Sequence, residues 1–483
     1  MMINLQQLIA LFPTVTLIFA IIIVILSICY SRNHTFVCTL TILGLVCSCL
    51  SLFFLKNIIP INVTALFYID KSSIIYVFMI LFSAISACIF SYSWLEKYQF
   101  NKEELYVLFL LSTLGAVNLI FSNHMSSLFI SIELLTLPVF GLIAYSNTQK
   151  YSLEAALKYI ILSGVSSSFL LLGIAWIYAI SGNLSFLSLD YIFDITREQE
   201  KLVILFGTIM ILSSLFFKLS IVPFHLWTPD IYQGSSAAVL SFFSTVSKTA
   251  IFFILLRLFL HISNFDNGVL YYIVSLMIFL SVIFGNILAL LQNDMKRFFG
   301  YSSISQLGYL LILLLAFHDS YIFSLEASIV YVCSYLFSNI AYFGIINLIS
   351  NISQNKQHHP KFWYEGLFWH QPMLAIILTV IFLSLSGIPI TLGFIGKFYI
   401  LSIIINEHLW IVGIPFFVGS IIGLCCYLRM IINLYLTSPT YFSRTLIIPR
   451  YWFFSPSGIV VCISGINLLI LGIYPNLLIN LLQ

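Results

Sequence analysis

Four charged side chains lie inside apolar stretches of this sequence, where a charge is costly. Lys218 stands in LSSLFFKLSIVPFHLW, Lys248 in STVSKTAIFF and Lys397 in GFIGKFYI, while Glu133 stands in SLFISIELLTLP. Burial lowers the pKa of a lysine towards neutrality, and a nearby carboxylate raises it again. Buried lysines near a glutamate can therefore load and release protons, and the chemistry these residue types predict is proton transfer.

The energies support a role for these charges beyond packing. A charge at mid-bilayer costs at least about 2.5–3.5 kcal/mol, so such residues usually face a cavity or a partner. A fixed buried ion pair is the alternative, but three lysines against one glutamate do not balance. One Glu–Lys contact of about 4 Å is worth roughly 4 kcal/mol at an effective dielectric near 20. Moving a charge across 100 mV costs about 2.3 kcal/mol, so switching one contact can drive a proton against about 150 mV.

Other polar residues leave alternatives open. Glu154 and Lys158 are four apart on one helix face, either as a local ion pair or as part of a charge relay. His225, two residues after Pro223, could pass protons or satisfy backbone carbonyls. A further pair of basic residues lies nearer helix ends, and we expect both to snorkel towards the membrane surface; they are Arg257 and Arg429.

The elements that must position these residues are transmembrane helices. The chain has 483 residues, of which 61% are hydrophobic and only 8% charged, a composition outside the range of soluble domains. A spanning helix needs about 20 apolar residues, and runs of that length predict an all-α membrane protein with about 14 transmembrane helices. The predicted starts are near Leu5, Phe36, Ser73, Leu105, Met125, Leu153, Val203, Ser235, Val269, Tyr301, Tyr321, Pro372, His408 and Ser457.

Two of these helices carry prolines next to the buried lysines. Pro223 follows Lys218, and Pro389, among several glycines, precedes Lys397. Each proline removes a backbone hydrogen bond, so both helices are predicted to be broken within the membrane. Irregular backbone at that depth is tolerated where it packs against protein or lines a cavity.

The broken helices are about the seventh and the twelfth, which indicates a five-helix repeat. Five is odd, so the second copy inserts upside down, as in inverted-repeat transporters. The predicted units are helices 1–3 (residues 1–104), the first repeat (105–262), the second inverted repeat (263–437) and helix 14 (438–483).

Basic residues in the loops predict the orientation. About ten follow odd-numbered helices and about four follow even-numbered ones, and positively charged loops remain in the cytoplasm. Both termini are therefore expected on the periplasmic side. The larger group is Arg32, Lys97, Lys102, Lys150, Lys296, Arg297, Lys356, Lys361, Arg444 and Arg450.

Several motifs are missing from the sequence. It has no GxGxxG after a strand, no GxxxxGK[ST], no cysteine set for an iron–sulfur cluster, no zinc spacing and no basic patch for nucleic acid. We therefore expect no redox centre, cofactor or metal on this chain, and energy for uphill transport from an ion gradient or from partner subunits.

Five segments carry a family resemblance. Over essentially the whole chain, the sequence resembles the antiporter-like membrane subunits of the bacterial proton-pumping NADH:quinone oxidoreductase, respiratory complex I. Position 397 is usually glutamate in the subunit M group, so Lys397 favours the subunit N group. The segments are HMSSLFISIELLTLPVFGL, FKLSIVPFHLWTPDIYQG, STVSKTAIF, FGYSSISQLGYLL and LSLSGIPITLGFIGKFY.

The resemblance implies a setting for the chain. It implies 14 helices with two inverted five-helix repeats, in the bacterial inner (plasma) membrane and surrounded by lipid. The implied partners are the neighbouring antiporter-like subunit M and the small subunits K and J. NADH, FMN, iron–sulfur clusters and quinone would be bound elsewhere in the complex.

The resemblance also implies a role for each buried charge. Glu133 would modulate Lys218, Lys248 would pass protons along a central axis, and Lys397 would communicate with the outer half-channel. Gln306 stands where the family generally has histidine. Glutamine cannot titrate, although it can hydrogen-bond a bridging water.

Two other functions compete with a pump subunit. A free-standing Na⁺/H⁺ antiporter would use the same buried lysines, and it differs in needing sodium rather than NADH oxidation. A purely structural subunit would hold its neighbours together, and it predicts that removing the buried charges leaves pumping intact.

Overall fold

The structure is a computed structural model that describes residues 5–56, 58–98, 101–146, 150–187, 198–262, 268–317, 320–350, 365–436 and 452–480. Across these ranges, 13 helices are long and apolar enough to cross a membrane, and a pair of shorter helices, α15 and α16, supplies one more crossing. The predicted all-α membrane architecture is confirmed. The helices are α1 (Leu5–Ala10), α2 (Phe12–Tyr30), α3 (His34–Ser51), α4 (Lys71–Glu96), α5 (Glu104–Phe121), α6 (Met125–Ala144), α7 (Lys150–Ser181), α8 (Glu198–Leu219), α9 (Thr228–Gly234), α10 (Ala237–Leu260), α11 (Val269–Leu291), α12 (Met295–Leu315), α13 (Tyr321–Ser350), α14 (Leu367–His370), α15 (Pro372–Ser386), α16 (Leu392–Asn406), α17 (Trp410–Tyr435), α18 (Pro456–Ile473) and α19 (Asn476–Ile479).

The predicted starts agree with these bounds, with two instructive differences. The first span was predicted from Leu5 but begins at Phe12, because Pro13 suits only the first turn of a helix. The tenth was predicted from Tyr301 but begins at Met295, where the Asp294 side chain caps the backbone N–H of Lys296. Lys296 therefore lies in a helix rather than a loop.

Three helices form the centre of the bundle and are almost entirely enclosed by other helices. They are α10, α12 and α13, whereas α2, α7 and α18 are largely exposed to the surroundings. One turn of α10, Phe243–Ser247, is a π-helix that ends directly before Lys248. Two of these enclosed helices carry polar residues described below, Lys248 on α10 and both Ser303 and Gln306 on α12.

The first predicted break is confirmed between α8 and α9. The α8 helix ends at Leu219, and Ser220 adopts a left-handed conformation with φ of 64°. Pro223 has no N–H to donate, and the helix resumes only at Thr228.

The second predicted break is confirmed between α15 and α16. Gly387 ends α15 in the left-handed conformation, with φ of 82°, which glycine adopts readily at a helix C-terminus. Gly393 lies so close to α15 that a Cβ atom there would stand 1.9 Å from the Ser384 carbonyl oxygen. The two half-helices therefore pack in direct contact around the break.

A short β-hairpin, which the sequence did not predict, lies between α3 and α4. Its strands β1 (Ile61–Val63) and β2 (Phe67–Ile69) are antiparallel. The strand β2 also bridges Ser122, the residue after α5. The hairpin thereby covers the end of α5.

The prediction that Arg257 snorkels is wrong. Its side chain is only 5% exposed, and its guanidinium donates to the Asp70 carboxylate over 3.0 Å. It also donates to the backbone carbonyls of Tyr68, Ile120 and Ser122. The hairpin, the start of α4 and the end of α5 together supply these acceptors near the end of α10, so the charge is satisfied inside the protein. Arg429, by contrast, is exposed, as predicted.

Replacing Arg257 with alanine is expected to destabilise the protein by about 3–5 kcal/mol, because it leaves a largely buried carboxylate without its partner. The measurement is thermal denaturation of the detergent-solubilised protein. Arg429→Ala is the matched control and should change stability by no more than about 0.5 kcal/mol. Equal stability of the two variants would contradict a stabilising role for the Arg257–Asp70 pair.

Candidate proton-transfer site

Lys218 lies in the last turn of α8, next to the first break, and is 2% exposed. Its Nζ donates to the hydroxyl of Ser163 on α7. Glu133 on α6 is within electrostatic range of this ammonium. In the described part of the chain, however, no ion pair joins the two, and Glu133 Oε1 is buried without a hydrogen-bond partner. In this structure Ser163 holds the lysine while the carboxylate stands apart.

Lys248 is fully buried, at 0% exposure. It is the first residue of the α-helical part of α10 that follows the π-helical turn. Its Nζ lies 2.8 Å from the Ser303 hydroxyl on α12 and 3.3 Å from the Ser220 hydroxyl in the first break. The ring of Tyr232 lies beneath it, with 5.4 Å to the ring centroid. Among the described residues no carboxylate pairs with it. Because Ser220 is two residues from Lys218, the break brings the two lysines into one polar region.

The two hydroxyls around Lys248 are arranged as acceptors. Ser303 Oγ donates to the Gly300 carbonyl over 2.7 Å, and Ser220 Oγ donates to the Leu219 carbonyl. Each therefore presents lone pairs to Lys248, as a charged ammonium requires. A hydroxyl can rotate and donate instead, so the same site accommodates the neutral amine.

Lys397 lies in α16 and is 9% exposed. Its Nζ donates to the carbonyl oxygens of Leu385 and Ser386, each over 2.9 Å. These are among the last carbonyls of α15, which have no intrahelical donor and carry the negative end of the helix dipole. A Cβ atom at Gly387 would stand 2.7 Å from Lys397 Cδ. The second break thus forms a cation site from backbone, and glycine leaves room for the lysine.

Gln306 connects the centre to this second break. It lies on α12 one turn after Ser303, and its Nε2 donates to the Leu385 carbonyl over 3.2 Å. The same carbonyl accepts from Lys397. Lys218, Lys248, Gln306 and Lys397 thus form a line of buried polar residues: Ser220, which bonds Lys248, follows Lys218 by two residues, Ser303 precedes Gln306 by one turn, and Gln306 and Lys397 share the Leu385 carbonyl. Within the described residues, no hydrogen bond joins Lys218 to Lys248 or Ser303 to Gln306.

Glu154 and Lys158 lie away from this line. Lys158 Nζ is 2.7 Å from Glu154 and 2.7 Å from Asp230, and Arg297 is 3.6 Å from Asp230. All four side chains are partly exposed. They form an ion-pair network between α7, α9 and α12.

His225 and the two prolines occupy the breaks themselves. His225 is buried, and its Nδ1 has no hydrogen-bond partner within the described ranges. Pro223 and Pro389 are exposed on the outer surface of the bundle. Within the described part of the chain, no three His, Cys, Asp or Glu side chains are grouped as metal ligands.

Sequence reasoning missed the groups that contact the lysines. Three are serines. Membrane helices contain many serines that bond only their own backbone, so the residue type alone does not indicate a contact with a lysine. Position is more informative, since two of the serines lie within motifs already singled out, KLS and SSISQ. The missed groups are Ser163, Ser220, Ser303 and the carbonyls of Leu385 and Ser386.

Comparisons with known proteins cover essentially the whole chain. The family model described as NADH:quinone oxidoreductase/Mrp antiporter, TM, matches residues 122–423. The NADH-quinone oxidoreductase subunit N of Buchnera aphidicola subsp. Acyrthosiphon pisum (strain APS) is 60% identical over 483 residues, covering 100% of this chain and 99% of that one. A chain of the solved respiratory complex I from Thermus thermophilus with bound Aureothin has a TM-score of 0.82 at 26% identity, covering 97% of this chain and 98% of that chain. A chain of the Mrp complex from Dietzia sp. DQ12-45-1b has a TM-score of 0.84 at 19% identity, covering 99% and 96%, and is similar in fold.

Proposed function

Because this chain belongs to the NADH:quinone oxidoreductase/Mrp antiporter family of membrane proteins, we propose that it is a proton-translocating membrane-arm subunit of an NADH:quinone oxidoreductase. It has no redox centre of its own in this proposal; NADH, FMN, iron–sulfur clusters and quinone belong to other subunits. The observation that carries the proposal is that three buried lysines, Lys218, Lys248 and Lys397, are each held by hydroxyls or backbone carbonyls at or beside a helix break, with no carboxylate paired to them among the described residues.

The first step is a switch at Lys218. With Ser163 as its only hydrogen-bond partner in the described residues, the buried ammonium is weakly stabilised. A small approach of Glu133 would form an ion pair worth roughly 4 kcal/mol at about 4 Å and an effective dielectric near 20. Redox chemistry elsewhere in the complex makes and breaks this contact. When the contact breaks, Lys218 loses its proton towards Lys248.

The second step passes through the centre. Lys248 holds its proton between Ser220 and Ser303, and releasing it requires these hydroxyls to rotate towards the neutral amine. The proton then crosses by water past Gln306, which cannot itself titrate. The neutral amine of Lys397 then takes up the proton, and the carbonyls at the end of α15 stabilise the resulting ammonium before the proton is released on the outer side.

The supporting residues act through position in this proposal. Pro223 and Pro389 keep the two helices broken. Glu154 and Lys158 tie α7 to α9 through Asp230 and so fix Ser163 against Lys218. His225 keeps both of its roles in this proposal, since its Nδ1 has no hydrogen-bond partner among the described residues and the Pro223 backbone is within hydrogen-bonding range of its ring.

The proposed setting follows from the family. The chain would lie in the bacterial inner membrane with both termini periplasmic, surrounded by lipid. Subunit M and the small subunits K and J would be its neighbours. The proposed repeats, residues 105–262 and 263–437, each contain one of the observed breaks; the boundaries at residues 263 and 437 lie outside the described residues.

A free-standing sodium/proton antiporter is the main competing function. The hydroxyls around Lys248 and the carbonyls around Lys397 already have an ammonium as donor. A sodium ion would need the same oxygen atoms. This geometry favours protons as the transported ion.

Inverted membrane vesicles that contain the assembled complex are expected to acidify on addition of NADH, with or without sodium. The measurement is the quenching of a pH-sensitive dye in sodium-free and sodium-containing buffers. A matched preparation lacking this chain is the control. Acidification driven by a sodium gradient in the absence of NADH would instead support the antiporter.

A further inference from the structure

We infer that Gln306 is a positioning residue, whose amide holds the end of α15 so that the Leu385 carbonyl is aimed at the Lys397 ammonium. This inference rests on the proposed proton path and deepens it. It assigns a task to the one position where a titratable residue was expected and is missing.

The Gln306 amide is fully engaged and therefore fixed. Its Nε2 donates to the Leu385 carbonyl over 3.2 Å and to the Tyr427 hydroxyl over 3.1 Å. Its Oε1 accepts from the Tyr331 hydroxyl. The side chain is buried. Four helices, α12, α13, α15 and α17, thus meet at one amide whose orientation the two tyrosines determine.

The Gln306 amide orients the Leu385 carbonyl. This carbonyl lies in the last turn of α15, where a carbonyl has no donor from its own helix. A carbonyl oxygen has two lone pairs, and here one accepts from Gln306 and the other from Lys397. Without the amide, only the lysine would orient this carbonyl, and its hold would weaken whenever the lysine lost its proton, because a neutral amine is a weaker donor than an ammonium.

A neutral amide performs this task at every pH. Because Gln306 carries no proton that it can give up, it holds the acceptor in place through both charge states of Lys397. A histidine here could become a second cation near Lys397 and would couple the two titrations. Gln306 therefore holds the end of α15, at the second break, in a fixed position against α12 in both charge states of Lys397.

The test replaces Gln306 with leucine in the assembled complex. The loss of one orienting hydrogen bond is expected to slow proton transfer through this subunit by about threefold to tenfold, which lowers the number of protons pumped per NADH towards the value of Lys397→Ala. Gln306→Met, which follows the length of glutamine more closely, should behave alike and serves if the leucine variant does not assemble. Gln306→His should restore part of the pumping, because its ring N–H can donate to Leu385, with a new loss of pumping as pH falls below about 6.5.

Asn347→Leu is the matched control, since Asn347 is also a buried amide and donates to the Phe90 carbonyl, away from the axis. It should lower stability without changing protons per NADH. Wild-type pumping and pH profile in Gln306→Leu and Gln306→Met would overturn the inference. Lys397→Ala, measured alongside, distinguishes a failure of the Gln306 inference from a failure of the proposed function. Normal pumping in Lys397→Ala would overturn the proposed function.

Discussion

Replacing Lys248 with alanine is expected to abolish proton transfer through this subunit in a complex that still assembles, so NADH-driven pumping loses this subunit's share. Lys248 is fully buried and joins Ser220 of the first break to Ser303 on α12. A group that gives and takes a proton contributes about 10²–10⁴-fold to a rate, so proton transfer through this subunit should fall by at least about 100-fold. The measurement is acidification of inverted vesicles, with the NADH:quinone reductase rate and a native gel recorded in parallel.

Lys248→Arg separates proton transfer from packing. A guanidinium keeps the positive charge but is not deprotonated in proteins, so this variant is also expected to lose pumping. A role limited to charge would be restored by arginine. Lys56→Ala, at an exposed lysine in the loop before the hairpin, is the control and should pump normally.

Replacing Lys218 with alanine is expected to have the next largest effect. It removes the only described group that can switch between Ser163 and Glu133. Proton transfer through this subunit should again fall by at least about 100-fold, because the proton has no carrier at the first break. Glu133→Gln keeps the lysine but removes the switching contact, and it should reduce pumping while leaving assembly unchanged.

The outcome for Lys218→Ala also decides between pump and scaffold. Loss of pumping, or of both pumping and turnover, in a fully assembled complex places Lys218 on a coupled path. If the gradient and the reductase rate both remained at wild-type levels, the buried lysine would be structural. Ser163→Ala is the control of intermediate effect. Lys218 then keeps its charge and its access to Glu133, so pumping should fall less than in Lys218→Ala.

The fold was predictable because two strong physical constraints act on a membrane chain. Hydrocarbon requires long apolar runs, so the helix starts at Met125, Val269, Tyr321 and Pro372 could be read directly from the sequence. A proline next to a buried charge is an equally distinctive pattern, and both breaks lie beside Pro223 and Pro389, as predicted. The hairpin between α3 and α4 was missed, because its strands have only three residues each.

The fate of individual charges was less predictable than their presence. The sequence shows that Arg257 and Lys296 are near helix ends, but it does not show what covers those ends. The hairpin and the end of α5 cover Arg257, and Ser235, the residue directly after α9, offers Lys296 its carbonyl over 2.9 Å. Both cations are therefore satisfied inside the protein rather than by water. Only tertiary structure supplies such acceptors, so local sequence cannot distinguish a buried arginine from one that snorkels.

The contacts of the axis were hidden for a related reason. Backbone carbonyls leave no trace in the residue types, so the cation site for Lys397 depended on knowing where α15 ends. The serines could have been suspected from their place beside Lys218 and Gln306. Their partners on other helices could not.

The most direct test of the proton path is the number of protons pumped per NADH oxidised by liposomes containing the Lys248→Ala complex. Dividing by the NADH oxidised by the same liposomes removes differences in turnover and incorporation. The proposed path predicts a ratio clearly below that of the wild-type complex, since this subunit's share of the protons is lost. A ratio equal to wild type, in an assembled and active complex, would contradict a proton path through Lys248.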